Sequence, residues 1–426
     1  MIGQVRTAHP AIILNGKNYY EQLAPYLIGL TYSDNCDGEK ADDLQFQLAD
    51  RDRKFINEWM PDVGAFFDVS IIAERWFAPY AAGLSLDCGR FWVDSVEFAL
   101  PDHTVTVKAT SLPTGIRIKA ANETRGWDNG TLQDIAQQIC GENQLELDWQ
   151  SDINPRYTRI EQNGESGLQF LKKRAEDAKL SIKAHRGTLV FFDEEKYEDK
   201  AAVFTIMYGN TQVSTSGLPV YRIEEAHFTI RLVDGLKKAT VKNVDIYSGK
   251  LKTGQWTAEE LLPPGPATIP PPEAVPPTGI AGGGAVPAGS RGAGTVQQSD
   301  IDQAAAARED NLHDNPGDDD SGEDEGDDGG GRAREAPTDG LLVWTPPQSD
   351  SNISRKAKAH LRNRNKHNRE ATIKLSIGNP LIAAGMTCNL NGLGQYDGKW
   401  FVESAKHEVG PEYTTELKVR TCLKGY

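Results

Sequence analysis

Eight histidines, 61 Asp plus Glu and five cysteines are the side chains of this 426-residue chain most able to do chemistry, and their spacing limits what they can do. Cys36, Cys88, Cys140, Cys388 and Cys422 are odd in number and widely separated, with no Cys-x-x-Cys and no partnering His cluster. That argues against a zinc site and against a disulfide framework. His103, His185, His227 and His407 fall in expected strands or turns without a spaced companion. His407, in Ser404-Ala405-Lys406-His407-Glu408, suggests a His/Glu pair, but a strand histidine with an ordinary hydrogen bond explains it more simply. Nucleophile elbows, phosphate loops, His-Glu-x-x-His and EF-hand loops do not occur. Gly392-x-Gly394 lacks the preceding strand and following helix of a dinucleotide-binding turn. The expected catalytic, cofactor-binding and metal-ligating residues are therefore none. Abundant carboxylates leave a glycosidase pair formally open, because only separation in space identifies one.

Charge separates the chain into parts. The 46 Lys plus Arg leave a net charge of −15, which is acidic for a nucleic-acid reader. Residues 263–340 hold 11 Pro, 15 Gly, no aromatic residue, and 16 acids against 4 arginines, eight of the acids lying between Asp318 and Asp328. Such a segment buries too little apolar surface to offset its ordering entropy, so it is expected to be a disordered insert. Its carboxylates lack the spacing of a calcium loop. The basic stretch Arg355 to Arg369 holds seven Lys or Arg and reads as an amphipathic helix. It lacks interleaved aromatics and follows an acidic run, which favours a solvated or internally neutralised face over a phosphate contact. No secretory leader and no apolar run of about 18 residues is evident, so stable membrane insertion and secretion by signal peptide are not expected.

An internal repeat organises the remainder. Gly89-Arg90-Phe91-Trp92-Val93-Asp94-Ser95-Val96 aligns with Gly398-Lys399-Trp400-Phe401-Val402-Glu403-Ser404-Ala405. After one inserted residue, the stretch from Pro101 to Lys108 aligns with that from Pro411 to Lys418. Each copy reads as a β-hairpin. Val105, Val107 and Ala109 alternate with polar residues, as do Leu417, Val419 and Thr421, which is the period of a half-buried antiparallel strand. Asp43 to Asp50 rhymes more weakly with Ala371 to Ile377, and Ala65 to Ile72 with Met386 to Leu390.

The expected architecture is β-rich α+β, with two similar tube-type antiparallel β-barrel domains at 1–111 and 194–426. The second is interrupted by the insert 263–340. Between them, 112–193 reads as a small α/β domain with two helix-then-strand units. Leu132, Ile135, Ala136 and Ile139 stand at helical spacing, and Ser166 with Gln169 forms a capping-box pattern before Leu168 and Leu171.

These segments resemble a known family. Gly378 to Val419 is similar to the end of the phage late control protein D family. These are baseplate hub proteins related to the hub of T-even phages and to the N-terminal part of type VI secretion spike proteins. Gln162 to Phe192, with Gln-x-x-Glu-Ser followed by Phe170-Leu171, and Leu132 to Leu147 resemble it too. The resemblance implies a homotrimer whose two β-domains per chain make a pseudo-hexameric ring. That ring would adapt a hexameric tail tube above to a trimeric central spike below, among other baseplate proteins, with DNA passing through unread. It implies a place in the virion tail baseplate, after assembly in the host cytoplasm. The residues expected to carry assembly are Gly89, Phe91, Trp92, Val93, Gly398, Trp400, Phe401, Val402, His407 and Tyr413. The acidic insert exceeds the family pattern, and no lysozyme-like or peptidase segment accompanies the hub. A tail-tip peptidoglycan hydrolase, or the equivalent hub of a headless bacteriocin or injection system, are the alternatives.

Overall fold

The computed structural model describes residues 5–36, 41–77, 83–113, 117–209, 217–231, 238–244, 249–257, 340–344 and 353–423. The insert expected at 263–340 lies outside the described residues except for Gly340, which opens a strand. Among the described residues, no helix is long and apolar enough to cross a membrane.

The first unit contains β1 (Thr7–Leu14), β2 (Lys17–Asn18), the short α1 (Tyr20–Leu23), β3 (Leu27–Asn35), β4 (Asp43–Ala49), β5 (Phe66–Glu74), β6 (Leu84–Ala99) and β7 (Thr104–Thr110). Period-2 patterning sets its core. In β4, Leu44, Phe46 and Leu48 are buried while Gln45 and Gln47 are exposed, as a sheet with one wet face requires. They meet Phe67, Val69, Phe91, Val105 and Val107 in one apolar cluster.

The middle unit contains α2 (Arg117–Ala120), β8 (Asn122–Thr131), α3 (Leu132–Glu142), β9 (Glu146–Gln150), β10 (Arg156–Ser166), α4 (Gly167–Asp177), β11 (Ser181–His185), β12 (Thr188–Phe192) and α5 (Glu194–Asp199). Both longer helices begin with reciprocal capping. Thr131 pairs with Asp134, and Ser166 with Gln169, each side chain taking the other residue's backbone N–H. Leu132, Ile135 and Ile139 of α3 meet Phe170, Leu171 and Ala175 of α4 in a separate core. Full burial of each large apolar side chain contributes about 1.5–3 kcal/mol.

The remaining elements are β13 (Phe204–Met207), β14 (Val220–Ile230), β15 (Lys238–Val244), β16 (Leu251–Thr257), β17 (Gly340–Trp344), α6 (Ile353–Asn365), β18 (Arg369–Leu375), β19 (Thr387–Asn391), β20 (Gly398–Val409) and β21 (Tyr413–Thr421). Six of the strands close a barrel in the order β13-β14-β18-β21-β20-β19, with β19 returning to β13. Closure is not purely antiparallel, as the sequence had suggested, because β13 runs parallel to both β14 and β19. In the first unit the order is β3-β4-β7-β6-β5-β1-β2, and no pair among the described residues closes it.

A three-stranded sheet, β16-β15-β17, and α6 stand between β14 and β18. Ala357 and Leu361 of α6 pack on Ala239 and Val241 of β15. Gly254 allows the close approach, since a Cβ there would lie 2.5 Å from the Ile353 backbone. The basic helix ends at Asn365, short of the expected Arg369, which already belongs to β18.

Candidate assembly interface

Two runs of five strands share one order and one set of directions: β3-β4-β7-β6-β5 and β14-β18-β21-β20-β19, antiparallel throughout. Their registers also agree. Val93 opposes Ala109 and Ser95 opposes Lys108, skipping Asp94; Val402 opposes Val419 and Ser404 opposes Lys418, skipping Glu403. At the far edge the pairings skip Ile28 in β3 and Glu224 in β14. A bulge adds an unpaired residue and extra twist at one point of a strand. Two bulges at matching places mark one unit used twice.

The ten residues singled out from sequence fall at several different places. Phe91 and Val93 belong to the first core, and Trp400 and Val402 occupy the corresponding places in the second. Phe401 points to the other face, against Cys36 and Phe192. Trp92 and Gly89 seat the β11–β12 turn of the middle unit. A Cβ on Gly89, at φ +97°, would lie 2.7 Å from Arg186 Cγ, and one on Gly187 would lie 3.1 Å from the Trp92 ring. Gly398, the aligned glycine, has open space around it and serves only its backbone angle, φ +132°.

His407 and Tyr413 lie where the two units meet. Strand β20 pairs with β3 from Ser404 opposite Asn35 to Val409 opposite Leu30, so one 13-stranded sheet spans both units. His407 is fully buried, opposite Tyr32 and stacked on it at 6.0 Å. Its Nε2 lies 3.2 Å from the Ile382 carbonyl, which only accepts, so Nε2 carries the proton and Nδ1 accepts from the Tyr413 hydroxyl at 2.9 Å. Burial holds this imidazole neutral, lowering its pKa to about 4. Tyr413 and Val409 complete the first unit's core, and Trp76 Nε1 donates to the Gly378 carbonyl at 2.6 Å.

Two charged clusters, neither foreseen from sequence, fasten the other elements to this joint. Arg420, with no exposed surface, donates to Glu403 at 2.9 Å and Glu194 at 3.0 Å, and its Nη1 lies 2.6 Å from Glu198. Arg362 of α6 bonds Glu198 as well, so α5 and α6 are both held against β20 and β21. Burial opposes charge on Glu194, but Lys366, Arg420 and Arg362 outweigh it and hold the carboxyl at about 2. In the second cluster, Asp34 of β3 bonds Lys183 of β11 and accepts from the Ala384 N–H at 2.8 Å. Asp42 lies 2.8 Å from His185. Burial raises the Asp42 pKa, against the pull of Lys183 and His185.

In both clusters each of these carboxylates lies against a basic side chain. His367, Glu370 and Glu403 come close enough to hold a cation, but Arg231, Lys418 and Arg420 already engage the two carboxylates, at 2.6, 3.2 and 2.9 Å. An apolar cleft of about 600 Å³ in the first unit is lined by Phe46, Phe55, Trp59 and Phe67. Among the described residues, its lining includes one carboxylate, Asp62, and no His, Cys or Lys.

No protein-family model matches the chain, and no curated protein matches it in sequence. Solved structures do match it along its length. The tail protein from Neisseria meningitidis MC58 is 13% identical, with 97% of each chain covered and a TM-score of 0.56. The 43 kDa tail protein of prophage MuSo2 from Shewanella oneidensis is 10% identical, covering 97% of this chain and 98% of that one, with a TM-score of 0.53. At these identities the likeness is one of fold.

Proposed function

From a fold shared with two tail proteins, one of them from a prophage, we propose that the chain is a structural baseplate hub. In this reading three copies form a ring that joins a hexameric tail tube to a trimeric spike, without catalysis. The carrying observation is the duplicated five-strand unit, matched in order, direction and bulge position. Only near-equivalent units can occupy equivalent places in a closed ring, and two per chain let three chains offer six such places.

The internal joint supports the same reading. The two units meet edge to edge through β3 and β20, so their hydrogen bonds run on from one unit into the next. The clusters around Arg420 and Asp34 make that joint rigid and fix the middle unit on its flank. A ring of this kind is a passage and a mount. DNA would pass through it unread, and its work is to hold tube, spike and other baseplate proteins in register in the virion. The first unit would serve as a second tube-type barrel within it, with 1–111, 112–193 and 194–426 as the three functional parts.

Negative-stain imaging of the purified protein mixed with its tail-tube protein tests this. The reading expects one end of each tube to be capped. Tubes left bare at both ends, with the protein folded in the same sample, would count against it.

A further inference from the structure

The joint between β3 and β20 is a contact the chain is equipped to make a second time. In the second unit, β20 divides one edge between two partners, with Gly398 to Phe401 pairing with β19 and Ser404 to Val409 pairing with β3. The equivalent strand β6 pairs with β5 over Leu84 to Trp92. From Ser95 to Ala99 it pairs with β7 on one side and, among the described residues, with nothing on the other. Strand β14, the equivalent of β3, pairs with β18 through Ile230 but with β13 only over Val220 to Arg222. Among the described residues, its stretch Ala226 to Ile230 has no strand partner on that side. The chain therefore carries one filled joint and the two separated halves of another.

Burial follows the pairing. The inward-facing residues of the filled joint, Leu30, Tyr32, Asp34, Ala405, His407 and Val409, are each less than 5% exposed. Their equivalents on the open edges are Ala226, Phe228, Ile230, Val96, Phe98 and Leu100, none of them buried. Ile230 is 36% exposed and Leu100 71%. These stretches also lack the inward charges by which edge strands commonly avoid pairing.

We propose that β6 of one chain pairs with β14 of a second copy in the register of the internal joint. Carried across the repeat, that register sets Ser95 opposite Arg231, Glu97 opposite Thr229, Phe98 opposite Phe228 and Ala99 opposite His227 of the neighbouring copy. Phe98 with Phe228 then takes the place of His407 with Tyr32. The two open edges lie on opposite sides of the internal β20–β3 joint in the sheet order, so the contact is head to tail and its repetition closes a ring. The number of copies rests on the hub reading above, whereas the edges and the register come from this chain's own geometry.

Disulfide trapping in the full chain tests the register. Glu97 and Thr229 are both exposed, and four of the five native cysteines are buried. Under mild oxidation the variant carrying Glu97→Cys and Thr229→Cys should run mainly as covalent dimer and trimer on non-reducing gels, and each single variant as monomer. Ser33→Cys with Lys406→Cys, the internal counterpart, should link within one chain and leave the mass unchanged. Independently, Ile230→Lys should convert the ring to monomer with an unaltered circular dichroism spectrum. A ring that forms normally but neither cross-links nor responds to Ile230→Lys overturns this edge pairing and leaves the hub reading standing. A chain that is monomeric in every form overturns both.

Discussion

Arg420→Met preserves side-chain length and deletes a charge where no surface is exposed. Glu403 loses a partner at 2.9 Å, Glu194 one at 3.0 Å and Glu198 one at 2.6 Å. Each keeps another cation: Lys418 at 3.2 Å for Glu403, Lys366 at 3.7 Å for Glu194, and Arg362 for Glu198. Removing one member of a buried ion pair costs about 3–5 kcal/mol, and the remaining cations keep the expected loss within that range. Glu403→Gln alone leaves Arg420 bonded to both other acids and should cost about 1–2 kcal/mol. The double variant should depart from additivity by at least about 0.5 kcal/mol, because the two groups share a network. Urea unfolding followed by tryptophan fluorescence and circular dichroism measures these losses, with an unchanged m-value as the condition.

Acid titration adds a sign to that test. A carboxyl held at about 2 instead of its ordinary 4.5 contributes stability that is complete above pH 4.5 and is lost as the pH falls toward 2. For Glu194 that amounts to roughly 3 kcal/mol. Without Arg420 its pKa rises, so the gap between wild type and variant should be widest at neutral pH and close through this window. A loss below about 1 kcal/mol at pH 7, or a gap that stays constant on acidification, would refute the account of the cluster as a clamp.

Other outcomes follow from the joint and the repeat. His407 is held neutral with its pKa at about 4, below its ordinary 6.5, so its stabilising effect is complete above pH 6.5 and is lost on descent to pH 4. This should total about 3 kcal/mol in urea unfolding. His407→Phe, which installs the residue found at the equivalent Phe98, should remove that slope and cost about 1–3 kcal/mol at pH 7, because the Tyr413 hydroxyl loses its imidazole acceptor and the Ile382 carbonyl loses its imidazole donor. Gly89→Ala places a Cβ 2.7 Å from Arg186 at φ +97°. It should cost about 1–3 kcal/mol and reduce hydrogen-exchange protection in the β11–β12 turn. Thr257 and Gly340 both flank Lys238 across one strand, about 10 Å apart at normal strand spacing. A short Gly/Ser linker replacing residues 263–339 should therefore preserve ring assembly in size-exclusion chromatography, and loss of assembly would assign the insert a structural part.

The duplicated hairpins were legible because period-2 patterning and shared Gly, Val, Ser and Lys survive in both copies. Their bulges were not, since an extra residue leaves no mark in the pattern beyond a change of parity. Both copies share the bulge, yet Glu403 is buried beside Arg420 while its equivalent, Asp94, is exposed. Alternation also placed Arg420 with Glu416 and Lys418 on the wet face of its strand. The face assignment holds, but α5 and α6 cover it at that point, and strand periodicity carries no information about such a cover. His407 looked isolated because its partners, Tyr32, Ile382 and Tyr413, come from three different segments. The sheet β16-β15-β17 escaped notice because its third strand lies beyond the insert and pairs in parallel.

Mass and symmetry of the purified chain bear most directly on the hub reading. Light scattering combined with an electron-microscopic reconstruction should show three chains of 46.7 kDa closed into one ring, with six similar β-lobes around a passage and true three-fold symmetry. A stable monomer that forms no ring, alone or with its spike, would contradict it.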